Sequence, residues 1–174
     1  LQGRIVAEKL TPEFDYIAGD ATPTYGGRLT RALRRVVFVK GQAPLVVLYD
    51  DLAAKEPSTF QFMLHALKAF AVDEKAAQLA VVQSKAGVTV KYLSPTPLHF
   101  RQWDGFEPKP TKEFPNQWHV EAGTQEKQSE LRMLTVFVPQ RAGQQVAWQA
   151  ERVETDQTVG VRVVLDGKKT VVTF

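Results

Sequence analysis

Three groups of side chains in this sequence could do chemistry. The stretch from Arg28 to Lys40 carries five basic residues, Arg28, Arg31, Arg34, Arg35 and Lys40, and no acid. In a strand, alternation sets Arg31 and Arg35 on one face with Leu33 and Val37, and Arg34 on the other with Val36 and Phe38. Such residues can form a solvated strand end whose arginine stems lie over apolar neighbours. They can equally form a cationic surface for an acidic polysaccharide, because a guanidinium matches carboxylate and sulfate geometry. The second group is His65, which alternation places with Gln61 and Met63, opposite Phe60, Phe62 and Leu64. A lone histidine in a strand serves either as a hydrogen-bonded structural residue or as a ligand. The third group is Trp103 and Trp118, each close in sequence to a histidine, His99 and His119. An exposed tryptophan beside a polar side chain suits sugar stacking, whereas a buried one belongs to a sandwich core. The candidate carbohydrate-binding residues are therefore Arg31, Arg35, His65, Trp103 and Trp118, and none is assigned a catalytic role.

Other chemistries are excluded at this level. The absence of cysteine removes disulfides, cysteine nucleophiles and thiolate metal sites. Only three histidines are present, with no HxH or HxxxH spacing, so neither a metal site nor a cofactor is expected within this chain. There is no GxSxG elbow and no phosphate-binding loop. Asp50 and Asp51 are adjacent, so a strand would point them to opposite faces, and they read as a strand terminus rather than a paired acid and base. The formal charge of +3 comes from 22 Lys and Arg against 19 Asp and Glu. Such a balance is no polycation and does not call for nucleic acid. No apolar run approaches the ~20 residues a membrane-spanning helix needs, so no membrane partner is expected.

The elements that must position these residues are strands. Short β-branched and aromatic runs bounded by turn residues recur along the chain. They predict Arg4 to Lys9, Phe14 to Ala18, Leu29 to Lys40, Leu45 to Tyr49, Ser58 to Leu67, Gln78 to Gln83, Val88 to Leu93, Gln117 to Glu121, Arg132 to Val138, Val146 to Arg152, Val159 to Leu165 and Thr170 to Phe174. Hairpins are expected at Gly41-Gln42-Ala43-Pro44, at Ser84-Lys85-Ala86-Gly87 and at Asp166-Gly167. Glu74 to Leu79 has some helical character and is read as a turn. Five of the ten prolines fall in residues 94–116, which read as a surface loop or sheet crossover, because each proline removes a ladder donor. The expectation is an all-β fold, an antiparallel β-sandwich of about eleven to twelve strands in two facing sheets, filling 1–174 as a single domain. A closed barrel is the alternative. The chain opens at Leu1 without methionine and enters strand-like sequence almost at once, which suggests a piece of a longer protein.

An ordered series of motifs adds to this reading. Gly3-Arg4-Ile5-Val6 is followed by Tyr16-Ile17-Ala18-Gly19-Asp20-Ala21-Thr22 with Tyr25, then by Arg34-Arg35-Val36-Val37-Phe38-Val39-Lys40. Val46-Val47-Leu48-Tyr49-Asp50-Asp51 and Phe60-Gln61-Phe62-Met63-Leu64-His65 come next. This series, with Pro115-Asn116-Gln117-Trp118-His119 and Thr135-Val136-Phe137-Val138-Pro139, resembles the C-terminal part of the heparinase II/III-like polysaccharide lyases, a group that includes alginate and oligoalginate lyases. The resemblance spans roughly Gly3 to Pro139. It implies a periplasmic or secreted bacterial parent with an N-terminal α-helical toroid, a β-sandwich and in some members a metal ion, acting by β-elimination on uronic-acid polysaccharides. The family's base and neutraliser lie largely in the helical part, and its sandwich histidines lie in a stretch that should precede Leu1. No catalytic residue is therefore carried over, and the chain alone is expected to be inactive. The alternative is a non-catalytic carbohydrate-binding or structural β-sandwich module.

Overall fold

The computed structural model describes residues 2–174. It contains fourteen strands: β1 Arg4–Leu10, β2 Phe14–Asp20, β3 Leu29–Val39, β4 Leu45–Ser58, β5 Gln61–Ala66, β6 Ala71–Asp73, β7 Gln78–Gln83, β8 Ala86–Leu93, β9 Leu98–Asp104, β10 Trp118–Thr124, β11 Gln128–Arg141, β12 Trp148–Glu154, β13 Val159–Leu165 and β14 Lys168–Thr173. A single 3-10 turn, Thr22–Tyr25, is the one helical element among the described residues. Every strand pairing is antiparallel. The expected all-β sandwich is thus present, with one layer more than two facing sheets.

That extra layer follows from strand alternation. An eight-stranded sheet, ordered β1-β2-β3-β4-β11-β8-β7-β6, is apolar on both faces. Val37, Leu45, Val47, Tyr49, Leu134, Val136 and Val138 point one way and pack against Val159, Val161, Val163, Leu165 and Val172 of a three-stranded sheet β12-β13-β14. Leu48, Leu52, Leu131, Met133, Val90 and Tyr92 point the other way and pack against Phe62, Val120 and Ala122 of a second three-stranded sheet, β5-β10-β9. Burial on both faces needs near-continuous apolar runs, and Leu45 to Tyr49 and Leu131 to Val138 supply them.

The turns form where glycine and proline chemistry dictates. Asp166 and Gly167, both at positive φ, close a two-residue hairpin between Leu165 and Lys168, the geometry a type I′ turn requires. Gly160 has a different reason: a Cβ there would collide with the Val172 carbonyl oxygen, so the β13-β14 ladder needs a glycine.

Two expectations are corrected. β4 does not stop at Tyr49 but runs on to Ser58, so Asp50 and Asp51 sit inside a strand rather than at its end. Carboxylates are tolerated there because arginines of β3 face them from across the ladder. The proline-rich stretch 94–116 is not loop throughout, because it contains β9. All five prolines fall outside that strand, and β9 is an edge of its sheet, so no ladder bond is lost to them. The short strand β6, with only Val72 and its two neighbours, has too few residues to show a sequence pattern.

Candidate functional site

The sequence candidates come together in two separate places. Arg31 and Arg35 lie on the face of the eight-stranded sheet that packs toward β12-β13-β14. His65 and Trp103 lie on the outward face of β5-β10-β9, which covers the opposite side of that large sheet.

On β3 the arginines are met by acids in the next strand. Arg34 pairs in register with Asp50 and Leu33 with Asp51. Arg34 donates two hydrogen bonds to Asp50, from Nε at 2.6 Å and Nη2 at 2.9 Å, and its guanidinium also lies over the Phe62 ring. Asp50 is buried whereas Arg34 is half-exposed. Burial disfavours the charged form of Arg34, but the hydrogen bond and charge of Asp50 raise its pKa overall above the ordinary value. On the other face Arg31 donates from Nε to Asp51 at 2.8 Å, and Arg35 and Arg132 approach the same carboxylate at 4.0 and 3.7 Å. The arginine run that reads in sequence as uncompensated is therefore largely paired.

The second place gathers all three histidines of the chain. β10 runs between β5 and β9, and its register sets His119 opposite both His65 and Trp103, and Gly123 opposite His99. His119 is buried among aromatic rings: Trp103 stacks on it at 5.4 Å, and His65 and Phe106 meet it edge to face at 4.5 and 5.7 Å. Its Nε2 is buried and has no hydrogen-bond partner among the described residues. Two residues along β10, the buried carboxylate of Glu121 accepts hydrogen bonds from Gln61 Nε2 at 2.8 Å and from His99 Nε2 at 3.1 Å. Gly123 makes this contact possible, since a Cβ there would lie 2.5 Å from His99 Cε1. His99, His119, Glu121 and Gly123 were not among the sequence candidates. Alternation in β10 puts His119, Glu121 and Gly123 on one face, and His99 and His119 each stand near a tryptophan in sequence, but neither signal names the partner strands.

Trp103 also carries the Arg101 guanidinium at 4.8 Å from its ring, so protein groups already pack against its indole. Beyond it, the 105–117 segment bounds a cleft of about 770 Å³ lined by Trp103, Asp104, Phe106, Lys109, Lys112 and Phe114. Phe114 is 61% exposed at this cleft, and Asn116 closes one side by donating to Asp104 at 3.0 Å. Trp118, half-buried, points by alternation to the face opposite His119 and is not part of the histidine group. Among the described residues, no three histidine, aspartate or glutamate side chains are grouped so as to hold a metal ion. No helix there is long and apolar enough to cross a membrane.

No family model matches the chain, and no curated protein matches it. Solved structures do. A heparinase III gene product superposes over 99% of this chain with a TM-score of 0.78 at 13% identity, using 27% of its own chain. A second heparinase III structure gives a TM-score of 0.76 at 12% identity, covering 99% of this chain and 27% of its own. The heparan sulfate lyase HepC from Pedobacter heparinus gives 0.75 at 12%, covering 99% and 28%. The fold is therefore one that occurs in polysaccharide lyases of the heparinase III kind. This chain spans about 27% of the length of such structures, and it has their fold over nearly its whole length.

Proposed function

We propose that this chain is the C-terminal β-sandwich portion of a heparinase II/III-like polysaccharide lyase, and that it supports the catalytic domain and lines part of the substrate cleft. The observation that carries this reading is the superposition of nearly the whole chain on about a quarter of each heparinase structure. The motif series from Gly3 to Pro139 supports it independently. In this reading the parent eliminates across uronic-acid linkages, with base and neutraliser supplied by an N-terminal α-helical toroid, and works in the periplasm or outside the cell. Elimination needs converging groups for carboxylate neutralisation, proton abstraction and leaving-group protonation.

This chain's own residues bind and position. The cleft beside Trp103 combines aromatic faces, Phe106 and Phe114, with two cations, Lys109 and Lys112. That is the chemistry an acidic sugar chain uses, stacking plus charge. His119, braced by His65, holds Trp103 at the cleft wall, whereas Trp118 faces the other side of the same sheet and has no part in the cleft.

Two measurements test the reading. The chain alone should produce no unsaturated uronide from heparan sulfate, hyaluronan or alginate. Turnover by it that disappears when one of its own residues is changed would overturn the supporting role. Affinity electrophoresis on the same glycans should show retardation that W103A and F114A reduce. Unchanged migration of folded W103A and F114A variants would remove the glycan contact from this face.

A further inference from the structure

A cleft on the other side of the molecule has no part in that contact. It lies between the middle of β3 at Arg35 and the turn joining β12 to β13, encloses about 600 Å³, and is lined by Arg35, Tyr49, Asp51, Arg132, Thr155 and Asp156, among others. Three guanidinium groups crowd one carboxylate here. Arg31 Nε bonds Asp51 at 2.8 Å, whereas Arg132 Nε stands 3.7 Å and Arg35 Nη1 4.0 Å away. The last two distances are beyond hydrogen-bond range. Glu130 lies 3.5 Å from Arg31 Nη2, yet that nitrogen and Arg35 Nη1 are both buried without an acceptor among the described residues. A guanidinium has five donors and no way to lose its charge, so buried donors left unused are costly. The Tyr49 ring lies against the Arg35 guanidinium at 5.5 Å and restricts where it can turn.

We propose that Arg35 and Arg132, braced by Arg31 and Asp51, form a receptor for a single oxyanion, a sulfate or carboxylate group. Asp51 holds the guanidinium groups close together despite their mutual repulsion, and the bound oxyanion supplies acceptors to the cleft-lining Arg35 and Arg132, while Arg31, outside the cleft lining, stays on Asp51 and Glu130. Forked guanidinium donors match the oxygen spacing of such a group. Besides Asp51, two acids line the cleft, Glu154 and Asp156. Arg152 donates to Glu154 at 2.9 Å, whereas Asp156 is exposed in the turn and opposes an incoming anion. The receptor stands on these contacts alone and does not depend on the lyase reading.

The test is calorimetric titration of the chain with sodium sulfate at constant ionic strength. One saturable site is expected, weakened about tenfold or more in R35Q and in R132Q, each removing a charge-assisted contact. D156N is expected to tighten binding several-fold, a gain no purely structural role of these residues would give. Thermal melts establish that each variant is folded, and D156N and R35Q decide the matter if R132Q is not. Absence of saturable binding, or sulfate affinity unchanged in both R35Q and D156N, overturns the proposal. Repeating the titration with heparin and with desulfated heparin separates the sources. Loss of heparin affinity in R35Q assigns a pendant glycan group, and an effect confined to inorganic sulfate assigns a free ion, each upholding the receptor. Because sulfate is the primary probe, failure of the elimination or glycan-migration tests leaves this result standing.

Discussion

His65 on β5 and His119 on β10 are direct cross-strand partners, their rings edge to face with centroids 4.5 Å apart. Through His119 this pair reaches Trp103 and Phe106, so one buried imidazole joins two strands to the start of the 105–117 segment. Replacing His119 with alanine removes the centre of that group. The expected cost is about 2–4 kcal/mol, in the range of large-to-small changes at buried sites. Urea unfolding followed by tryptophan fluorescence measures it, and limited proteolysis should show earlier cleavage within 105–117. A loss below about 0.5 kcal/mol would place His119 outside the packing of this face.

Gly123 and His99 are coupled by contact. A methyl group at Gly123 collides with the His99 ring and drives it off Glu121. The buried carboxylate then keeps only Gln61 as a partner among the hydrogen bonds described. G123A should therefore destabilise by about 1–3 kcal/mol, the cost of an under-satisfied buried group. H99A should cost a similar amount by removing the same bond. The double variant should cost clearly less than the sum, since without the ring there is nothing to displace. Additive losses in a denaturation cycle would contradict the coupling.

Arg34 and Asp50 differ in burial, and the two halves of the pair should not be equivalent. Removing the guanidinium with R34A strands a buried carboxylate, a change of the kind that costs about 3 kcal/mol or more when a buried charge loses its partner. Removing the charge with D50N leaves a half-exposed arginine that can turn to water, and about 1 kcal/mol is expected. Chemical denaturation of both variants checks the order. Equal losses would mean that Asp50 finds another partner.

Asp20 gives the pH prediction. Hydrogen bonds from Thr22 hold its carboxyl below the usual range, led by the Thr22 side chain, with the Arg4 guanidinium adding to the effect. Because the folded-state pKa is depressed, this contribution to stability is present above the unfolded-state value of about 3.9 and fades as pH falls through the folded value. The side-chain carboxyl resonance of Asp20 should titrate below that of a model peptide. D20N should lower stability at neutral pH and flatten the acid limb of the stability profile, so that the two proteins converge below the folded-state value. A resonance titrating at or above the model value would contradict the assignment.

Much of the fold was legible because strands and turns are local. The hairpins at Gly41 to Pro44, Ser84 to Gly87 and Asp166-Gly167 stand where their turn residues predict them. The pairing of Arg34 with Asp50 was also within reach. A hairpin register, once its turn is known, fixes every pair down the ladder, and continuing β4 past Tyr49 brings Asp50 opposite Arg34. Reading Asp50-Asp51 as a strand end hid this, because strand propensity takes no account of a compensating charge on the next strand. β9 was obscured in the same way by its flanking prolines.

The alternation of the sequence by itself determined that Arg31 and Arg35 share a face, that Arg34 opposes them, and that His65 looks away from Phe62 and Leu64. It could not show that β10 passes between β5 and β9, because those strands lie more than ten residues from it and no hairpin turn sets their register. Only that long-range pairing placed His119 between His65 and Trp103, buried Glu121 under His99, and made a glycine necessary at position 123. The third layer was likewise a tertiary decision. Two apolar faces on one sheet demand two covers, and which strands supply them depends on how the whole chain packs.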